Sequence, residues 1–426
     1  MLNRTTAPPI ADAVDFKLDL KPPSVFTLDN GVPVYTYDAG TQDVLQLEFV
    51  FFAGNWFEDR NVLAASANFL LKNGTSRKSA YEINEDLEFY GAYFNRHCYN
   101  ETATITLHCL NKYTADLLPL ISEVITDAAF PEEEIATYKQ NQKQRLTVNL
   151  QKCDFVANRL IDEHLFGFSH PYGRYSTMED YDGIERDPLR KFYDRYYTHG
   201  KCIIFAAGKL PTDLAPLLNM HFGQLPFDQD SVKELSFDVQ PAPDKKFSVI
   251  NDPNGVQGAI RIARPFFNRK HPDFPKVQVL NNIFGGYFGS RLMSNIREDK
   301  GYTYGIHSYI QNHLQLSALM VSTEAGRDVC EATIKEVYHE MRRLREEPVS
   351  KEELDLVKNF MMGTILGDLD GPFQVIARWK NYILNGLDSQ YFYNSMEVIR
   401  NITAPELQEL ARQYLDPESF YELLVV

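Results

Sequence analysis

The sequence is poor in the residues that build several common kinds of site. Only five of its 426 residues are cysteine, and no two of them form a Cys-x-x-Cys pair. An odd number of dispersed cysteines on so long a chain favours reduced thiols in the cytoplasm over a disulfide framework. No run of 18 or more apolar residues occurs, so we expect no ordinary transmembrane helix.

Positive charge is also scarce, since 43 lysines and arginines stand against 58 acidic residues for a net charge of −15. This balance argues against binding to nucleic acid or to an anionic membrane surface. Hydrophobic residues make up 44% of the chain, which is enough for sizeable folded cores. No apolar segment typical of a signal peptide precedes Val25, which favours the cytoplasm. A chain trimmed of its signal would look the same, so the periplasm stays open.

Motifs for metal binding and nucleophilic catalysis are largely missing. No two of the ten histidines stand three to five residues apart, so no helix can present a histidine pair to a metal ion. Neither a G-x-S-x-G elbow nor a phosphate-binding loop is present. The glycine-rich run 285–290 precedes a predicted helix, so an anion site is conceivable there. A tight connection between packed helices is the interpretation that we favour.

The chain repeats one pattern of predicted elements at a nearly constant offset. Ser79 and Ser290 each open a predicted helix, and they stand 211 residues apart. Alternating apolar and polar residues predict equivalent strands at 102–107 and 314–319. A long amphipathic helix, a helix with an acidic start and a closing apolar strand follow in both halves. The sequence therefore predicts two copies of one unit.

Each copy combines alternating strands with long amphipathic helices. This pattern predicts the α+β class, as two tandem homologous domains in which helices pack on one face of a mostly antiparallel sheet. Prolines and charges interrupt the pattern between the halves. We predict an N-terminal domain over 1–228, a linker over 229–246 and a C-terminal domain over 247–426. Clefts between such domains are common ligand sites.

One segment carries side chains that are unusual for a purely structural element. Arg297 falls on the last turn of a helix predicted to end at Gly301, and Tyr304 comes early in the next strand. The guanidinium and phenol are hydrogen-bond donors that could hold a peptide carbonyl or stabilise an oxyanion. The alternative gives Arg297 the role of a helix-terminal charge and Tyr304 that of a packing residue.

The run from Ser290 to Tyr304 is similar to that of the pitrilysin/insulinase-type zinc peptidases, also called inverzincins. The resemblance covers nearly the whole chain and includes the duplicated halves. In active family members an arginine and a tyrosine seven residues later bind substrate and stabilise the transition state. By position these residues match Arg297 and Tyr304, so the resemblance implies a catalytic and substrate-binding role for both.

The zinc motif of that family is missing from this chain. Active members carry His-x-x-Glu-His on the first helix, where the histidines bind zinc and the glutamate acts as general base. Counting back from Gly74, the three positions hold Ala65, Asn68 and Phe69. The third ligand is expected on a later helix, yet residues 135–153 contain no aspartate or glutamate. The resemblance therefore implies that this chain holds no cofactor of its own.

Some bacterial members of the family are heterodimers in which one chain carries zinc and the other carries the Arg/Tyr pair. The resemblance implies that this chain is the second kind, inactive alone, with zinc supplied by a homologous zinc-binding peptidase subunit. Extended peptides are the expected substrates, and a homodimer stays open for the chain alone. Two alternatives remain: a catalytically dead scaffold, or a member that binds peptides without cutting them.

Overall fold

The computed structural model describes residues 12–232 and 234–426, and its first half is built on a β-sheet. The strands of this half are β1 (Ser24–Thr27), β2 (Pro33–Asp38), β3 (Val44–Phe51), β4 (Tyr93–Cys98), β5 (Ala103–Leu110) and β6 (Cys202–Gly208). Its helices are α1 (Leu63–Leu70), α2 (Ala80–Phe89), α3 (Thr114–Thr126), α4 (Glu132–Asn149), α5 (Cys153–Phe166), α6 (Met178–Asp182), α7 (Arg186–Tyr193) and α8 (Leu214–Phe222).

The second half is built on a sheet of its own. Its strands are β7 (Lys246–Val249), β8 (Gln257–Phe266), β9 (Thr303–Asn312), β10 (Ser317–Gly326) and β11 (Tyr421–Val425). Its α-helices are α9 (Phe274–Asn281), α10 (Cys330–Glu346), α11 (Lys351–Gly367), α12 (Pro372–Leu384), α13 (Ser389–Asn401) and α14 (Ala404–Tyr414). Two further helical segments, Asn282–Gly286 and Met293–Asp299, lie between α9 and β9.

The two sheets have the same topology. The first has the order β1-β2-β6-β3-β5-β4, and the second has the order β7-β11-β8-β10-β9. In both, one pair of neighbours is parallel, namely β2 with β6 and β7 with β11, and the other neighbours are antiparallel. Strand β1 is an addition at the outer edge of the first sheet. The predicted α+β class and its duplication are thus confirmed.

Local signals in the sequence were accurate at some element boundaries and wrong at others. Ser79 caps α2 in a capping box with Glu82, as predicted. Ser290 does not cap its helix in this way, because its hydroxyl is buried without a hydrogen-bond partner in the described chain. The strand predicted from residue 314 begins only at Ser317, since residues 313–316 form the tip of the β9–β10 hairpin.

Each sheet is covered on its second face by a helix from the opposite half. Helix α5 packs on β8 and β11 of the second sheet, and α12 packs on β2 and β6 of the first. The buried residues that α12 contacts include Val50 and Phe205, and those that α5 contacts include Ala263 and Leu423. The sequence prediction, which placed helices on one face of each sheet, did not include this exchange.

An ion pair with a buried charge on the strand ties each exchanged helix to the sheet that it covers. Arg261 of β8 is only 1% exposed and donates hydrogen bonds to the carboxylate of Asp154 and, at 2.8 Å, to Asn158 Oδ1 on α5. In the other half, Lys380 Nζ of α12 lies 2.8 Å from both carboxylate oxygens of the buried Glu48 on β3. Strands β3 and β8 hold the same place in their sheets, so the two pairs are equivalent with opposite polarity.

The Glu48–Lys380 pair gives a test of the helix exchange. Replacing Glu48 with glutamine leaves the Lys380 ammonium partly buried without a counter-charge, which we expect to lower the free energy of unfolding by about 2–3 kcal/mol. Urea denaturation measures the change. A double-mutant cycle with Lys380→Met should return a coupling energy above about 1 kcal/mol.

The matched control is Lys351→Met, which removes the lysine of an exposed pair with Asp355. Exposed pairs contribute little, so this change should stay within about 0.5 kcal/mol. Equal effects of Glu48→Gln and Lys351→Met would contradict the role given to the Glu48–Lys380 pair.

Candidate functional site

Arg297 and Tyr304 are brought together by the end of a helix and the start of a strand. The helical segment Met293–Asp299 is followed by Gly301, whose φ of +66° is a left-handed conformation that glycine adopts without a steric penalty. Two hydrogen bonds close this end, from Gly301 N to Arg297 O at 3.1 Å and from Tyr302 N to Ile296 O at 3.0 Å. The turn reverses the chain, so Tyr304 returns beside Arg297.

A β-bulge turns Tyr304 away from the sheet. Thr323 pairs with Ile306 and Ala325 with Thr303, so two residues of β9, Tyr304 and Gly305, stand opposite one residue of β10. The hydroxyl of Thr303 accepts a hydrogen bond from Gly305 N at 3.1 Å, which fixes the irregular backbone. Because a bulge re-aims the side chain that it carries, Tyr304 is 93% exposed.

The guanidinium of Arg297 contacts two aromatic rings. Its Cζ atom is 4.6 Å from the ring centroid of Phe288 and 5.5 Å from that of Tyr304. These cation–π contacts fix the direction of the side chain. Arg297 forms no ion pair with another residue in the part of the chain that the structure describes. Its charge is therefore available to a ligand.

Phe288 was not singled out by the sequence analysis, although it belongs to the glycine-rich run 285–290. That run serves as the tight connection that we favoured. A Cβ atom at Gly285 would meet Ser308 of β9 at 2.7 Å, so glycine is needed for the close approach to this strand. The only sequence signal for Phe288 was its position nine residues before Arg297.

An open cavity of about 560 Å³ lies beside the start of β9. Tyr304, Gly305, His307 and Glu324 are among the residues that line it. Strand β9 is an edge strand of its sheet, and an edge strand presents backbone N–H and C=O groups that lack a partner strand. The site thus combines a guanidinium, a phenol and a row of backbone groups.

The three positions predicted to correspond to the zinc motif lie on α1 of the first half, outside this site. Asn68 is buried and donates a hydrogen bond from Nδ2 to the Tyr197 hydroxyl at 3.1 Å. Phe69 is 42% exposed, and its ring lies 4.9 Å from that of Tyr138 on α4. Ala65 is half-buried and has no polar side-chain atom. The contacts of these side chains are therefore structural: Asn68 forms a hydrogen bond inside the fold, and Phe69 packs against an aromatic ring.

A positively charged side chain, that of Arg96, lies beside Phe69. The Cζ atom of Arg96, on edge strand β4, is 5.0 Å from the centroid of the Phe69 ring, and its guanidinium donates a hydrogen bond to the Phe69 carbonyl. Burial lowers the pKa of Arg96 to about 10, so the group keeps its charge at neutral pH. A fixed cation repels a divalent ion. The residues present do not fit a zinc ion, and no group of three or more potential ligands occurs within residues 12–232 and 234–426.

A polar cluster that the sequence analysis missed joins the tips of the two equivalent hairpins. The buried Glu101 carboxylate accepts hydrogen bonds from the Tyr172 hydroxyl and, at 3.0 Å, from Leu314 N. The ring of His313 stacks on Tyr172 with centroids 4.1 Å apart. Burial raises the pKa of Glu101 and lowers the pKa of His313 to about 4. No spacing in the sequence signals these contacts, because the residues are far apart along the chain.

Comparison with known proteins decides the family. Residues 183–361 match the family model described as the peptidase M16 inactive domain. The chain is also 22% identical over 397 residues to an uncharacterized zinc protease, YmxG, of Bacillus subtilis, which covers 91% of this chain and 94% of the relative. Residues 183–361 therefore match the M16 inactive domain, and the likeness to relatives of the family extends over most of the chain. The M16 peptidases are the pitrilysin/insulinase type, so the resemblance found in the sequence is confirmed.

Two further proteins are similar to this chain over most of its length. A protein of Helicobacter pylori described as a non-peptidase homolog of YmxG is 22% identical over 385 residues, covering 87% of this chain and 86% of its own length. The crystal structure of a peptidase M16 inactive domain from Pseudomonas fluorescens superposes with a TM-score of 0.84 at 22% identity, over 95% of this chain and 98% of that one. The second likeness shows the fold alone.

A protease structure from Helicobacter pylori is equally similar in fold, with a TM-score of 0.85 at 16% identity, over 95% of this chain and 100% of that one. Among the residues that the structure describes, no helix has the length and apolar character needed to span a bilayer. The catalytic and substrate-binding roles of Arg297 and Tyr304 stay predictions. The correspondence of Ala65, Asn68 and Phe69 to the zinc-motif positions also stays a prediction.

A buried carboxylate precedes α1, the helix that carries the positions predicted to correspond to the zinc motif. Glu58 is 7% exposed, and its Oε2 atom accepts a hydrogen bond from Ala64 N at 2.9 Å in the first turn of α1. Burial raises the pKa of Glu58 to about 7, outweighing the opposing effects of the backbone donors and of Arg174. The group therefore titrates near neutral pH in the folded protein.

This shift predicts a pH-dependent stability. A carboxyl group whose pKa is higher in the folded than in the unfolded chain stabilises the fold below about pH 4.5, and this contribution is lost as the pH rises through about 7. Between pH 5 and pH 8 the wild type should therefore lose about 2–3 kcal/mol more unfolding free energy than Glu58→Gln. Urea titrations at several pH values measure the difference.

The control for this prediction is Glu352→Gln, which changes an exposed carboxylate on α11. Its pH profile should follow that of the wild type. Parallel profiles for the wild type and Glu58→Gln would show that the Glu58 carboxylate is not destabilised by its surroundings.

Proposed function

We propose that this chain is the non-zinc-binding subunit of a heterodimeric metallopeptidase. Its Arg297 and Tyr304 bind the peptide substrate and stabilise the transition state while the zinc site of a partner subunit hydrolyses the peptide bond. The observation that carries the proposal is the pairing of a free guanidinium with an exposed phenol at the start of an edge strand. The chain alone is inactive as a peptidase under this proposal.

The chemistry of the pair suits an oxyanion. Arg297 offers a fork of N–H donors, and Tyr304 offers one O–H donor. Attack on a peptide carbonyl moves negative charge to its oxygen, and donors fixed in advance stabilise that charge more in the transition state than in the ground state. The contact of Arg297 with Phe288 supports this role, because it holds the guanidinium before substrate arrives.

The edge strand supports binding of extended peptides. A peptide that lies along β9 gains main-chain hydrogen bonds that do not depend on its sequence. The cavity beside Tyr304 is open at this edge and offers room for a substrate side chain. Broad preference for unstructured peptides follows from this mode of binding.

The need for a partner follows from the first half. Asn68 is a neutral amide committed to Tyr197, and Arg96 holds a positive charge against Phe69. Neither arrangement activates water or binds a divalent cation. The scaffold alternative draws its support from the same observation, together with the relative described as a non-peptidase homolog.

The proposal is tested by reconstituting the chain with a homologous subunit that carries His-x-x-Glu-His. Hydrolysis of a fluorescence-quenched unstructured peptide should require both chains. Arg297→Ala should lower kcat/KM of the complex by about 100-fold, and Tyr304→Phe by about 10-fold or more, because each removes donors to the developing charge. Zinc content and complex formation should stay unchanged in both variants.

The matched control is Arg412→Ala, which removes an exposed arginine from α14. It should leave kcat/KM within twofold of the wild type. Full activity of the complex with Arg297→Ala/Tyr304→Phe would refute the assigned role and favour the scaffold. Calorimetric binding of peptides to the chain alone, without cleavage in any mixture, would favour the peptide-binding alternative.

A further inference from the structure

A second cavity, of about 490 Å³, lies inside the helical layer of the second half. Helices α9, α11, α12 and α13 surround it, and it shares no lining residue with the cavity beside Tyr304. Its volume falls within the range of about 300–1,000 Å³ that is usual for small-molecule sites. Nothing in the proposed function uses it.

Two arginines give this cavity an unbalanced positive charge. Arg269 and Arg378 both line it, and the Nε atom of each is buried without a hydrogen-bond partner among the described residues. Asp368 is the one acidic residue in the lining, and its Oδ2 accepts a hydrogen bond from Arg378 at 2.8 Å. One carboxylate therefore faces two guanidinium groups, in a protein whose net charge is −15.

The remaining wall is mostly apolar. Its hydrophobic side chains come from α11 and α13, and they include Phe360, Met361, Ile365, Met396 and Ile399. Tyr391 lies beside Arg269, where burial raises the pKa of the phenol and the guanidinium lowers it to a smaller extent. Two guanidinium groups beside an apolar wall suit a ligand that is anionic at one end and apolar at the other.

We propose that this cavity binds a monoanionic carboxylate that carries an apolar chain. Arg269 and Arg378 hold the carboxylate, and the chain lies against Phe360, Ile365 and Met396. A single negative charge balances the excess guanidinium, and its two oxygens accept hydrogen bonds from the guanidinium groups that line the cavity. The carboxylate belongs either to a free acid or to the apolar C-terminal residue of a peptide. The inference is independent of the proposed function.

Isothermal titration calorimetry of the intact chain with decanoate tests the proposal. We expect one site per chain, with at least tenfold weaker binding of decanol, which has the same apolar chain without the charge. Arg269→Met and Arg378→Met should each weaken decanoate binding about tenfold or more, since each removes a charged donor. Titration with N-acetyl-leucine and with its amide separates the peptide terminus from the free acid as the source of the carboxylate.

Arg269→Lys serves as a second variant that keeps the charge but not the fork of donors, and its affinity should lie between those of wild type and Arg269→Met. Lys270→Met removes a neighbouring exposed charge that does not line the cavity, and it should bind decanoate like the wild type. Circular dichroism checks that every variant is folded. Absence of binding by all the carboxylates at millimolar concentration, or equal affinity of the wild type and Arg269→Met, would overturn the proposal.

Discussion

The exchange of α5 and α12 between the two halves is the constraint on which the rest of the molecule depends. Neither sheet is covered on both faces by the helices of its own half, so each half completes the core of the other. Extended segments reinforce the exchange, since Gln240 N donates to Phe166 O at 3.0 Å and Trp379 Nε1 donates to Lys21 O at 2.8 Å. The edge strand with Tyr304 is therefore held in a fixed relation to the helix with Asn68.

The duplicated architecture could be predicted because the same local patterns of helix caps and alternating strands occur twice in the sequence. The exchange could not, because an amphipathic helix reveals that it has an apolar face but not which sheet will cover that face. Arg261 illustrates the difficulty, since a charged residue in an alternating strand predicts a solvent-facing position. It is almost fully buried because its partner, Asp154, lies 107 residues earlier in the chain and comes from the other half.

The candidate site also has some features that could be predicted from the sequence and others that could not. The meeting of Arg297 with Tyr304 was predictable, because a glycine that ends a helix and the seven-residue spacing fix their relation over a short stretch of chain. The bulge that exposes Tyr304 and the contact with Phe288 depend on strand register and packing, which short patterns do not encode. Arg96 was missed for the same reason: its charge reaches Phe69 only because β4 lies at the sheet edge beside α1.

The exposure of the Arg297–Tyr304 pair supplies a physical argument for a partner that does not depend on the missing zinc motif. Two unit charges that are 4 Å apart interact by only about 1 kcal/mol in bulk water. The same two charges interact by about 4 kcal/mol where the effective dielectric constant falls to about 20. Tyr304 is 93% exposed, so the pair by itself can stabilise an oxyanion only weakly. Strong stabilisation requires a second surface that excludes water from the cavity. Under the proposed function the zinc-bearing partner subunit supplies that surface, so the contact that brings the metal also strengthens the interaction of the pair with an oxyanion.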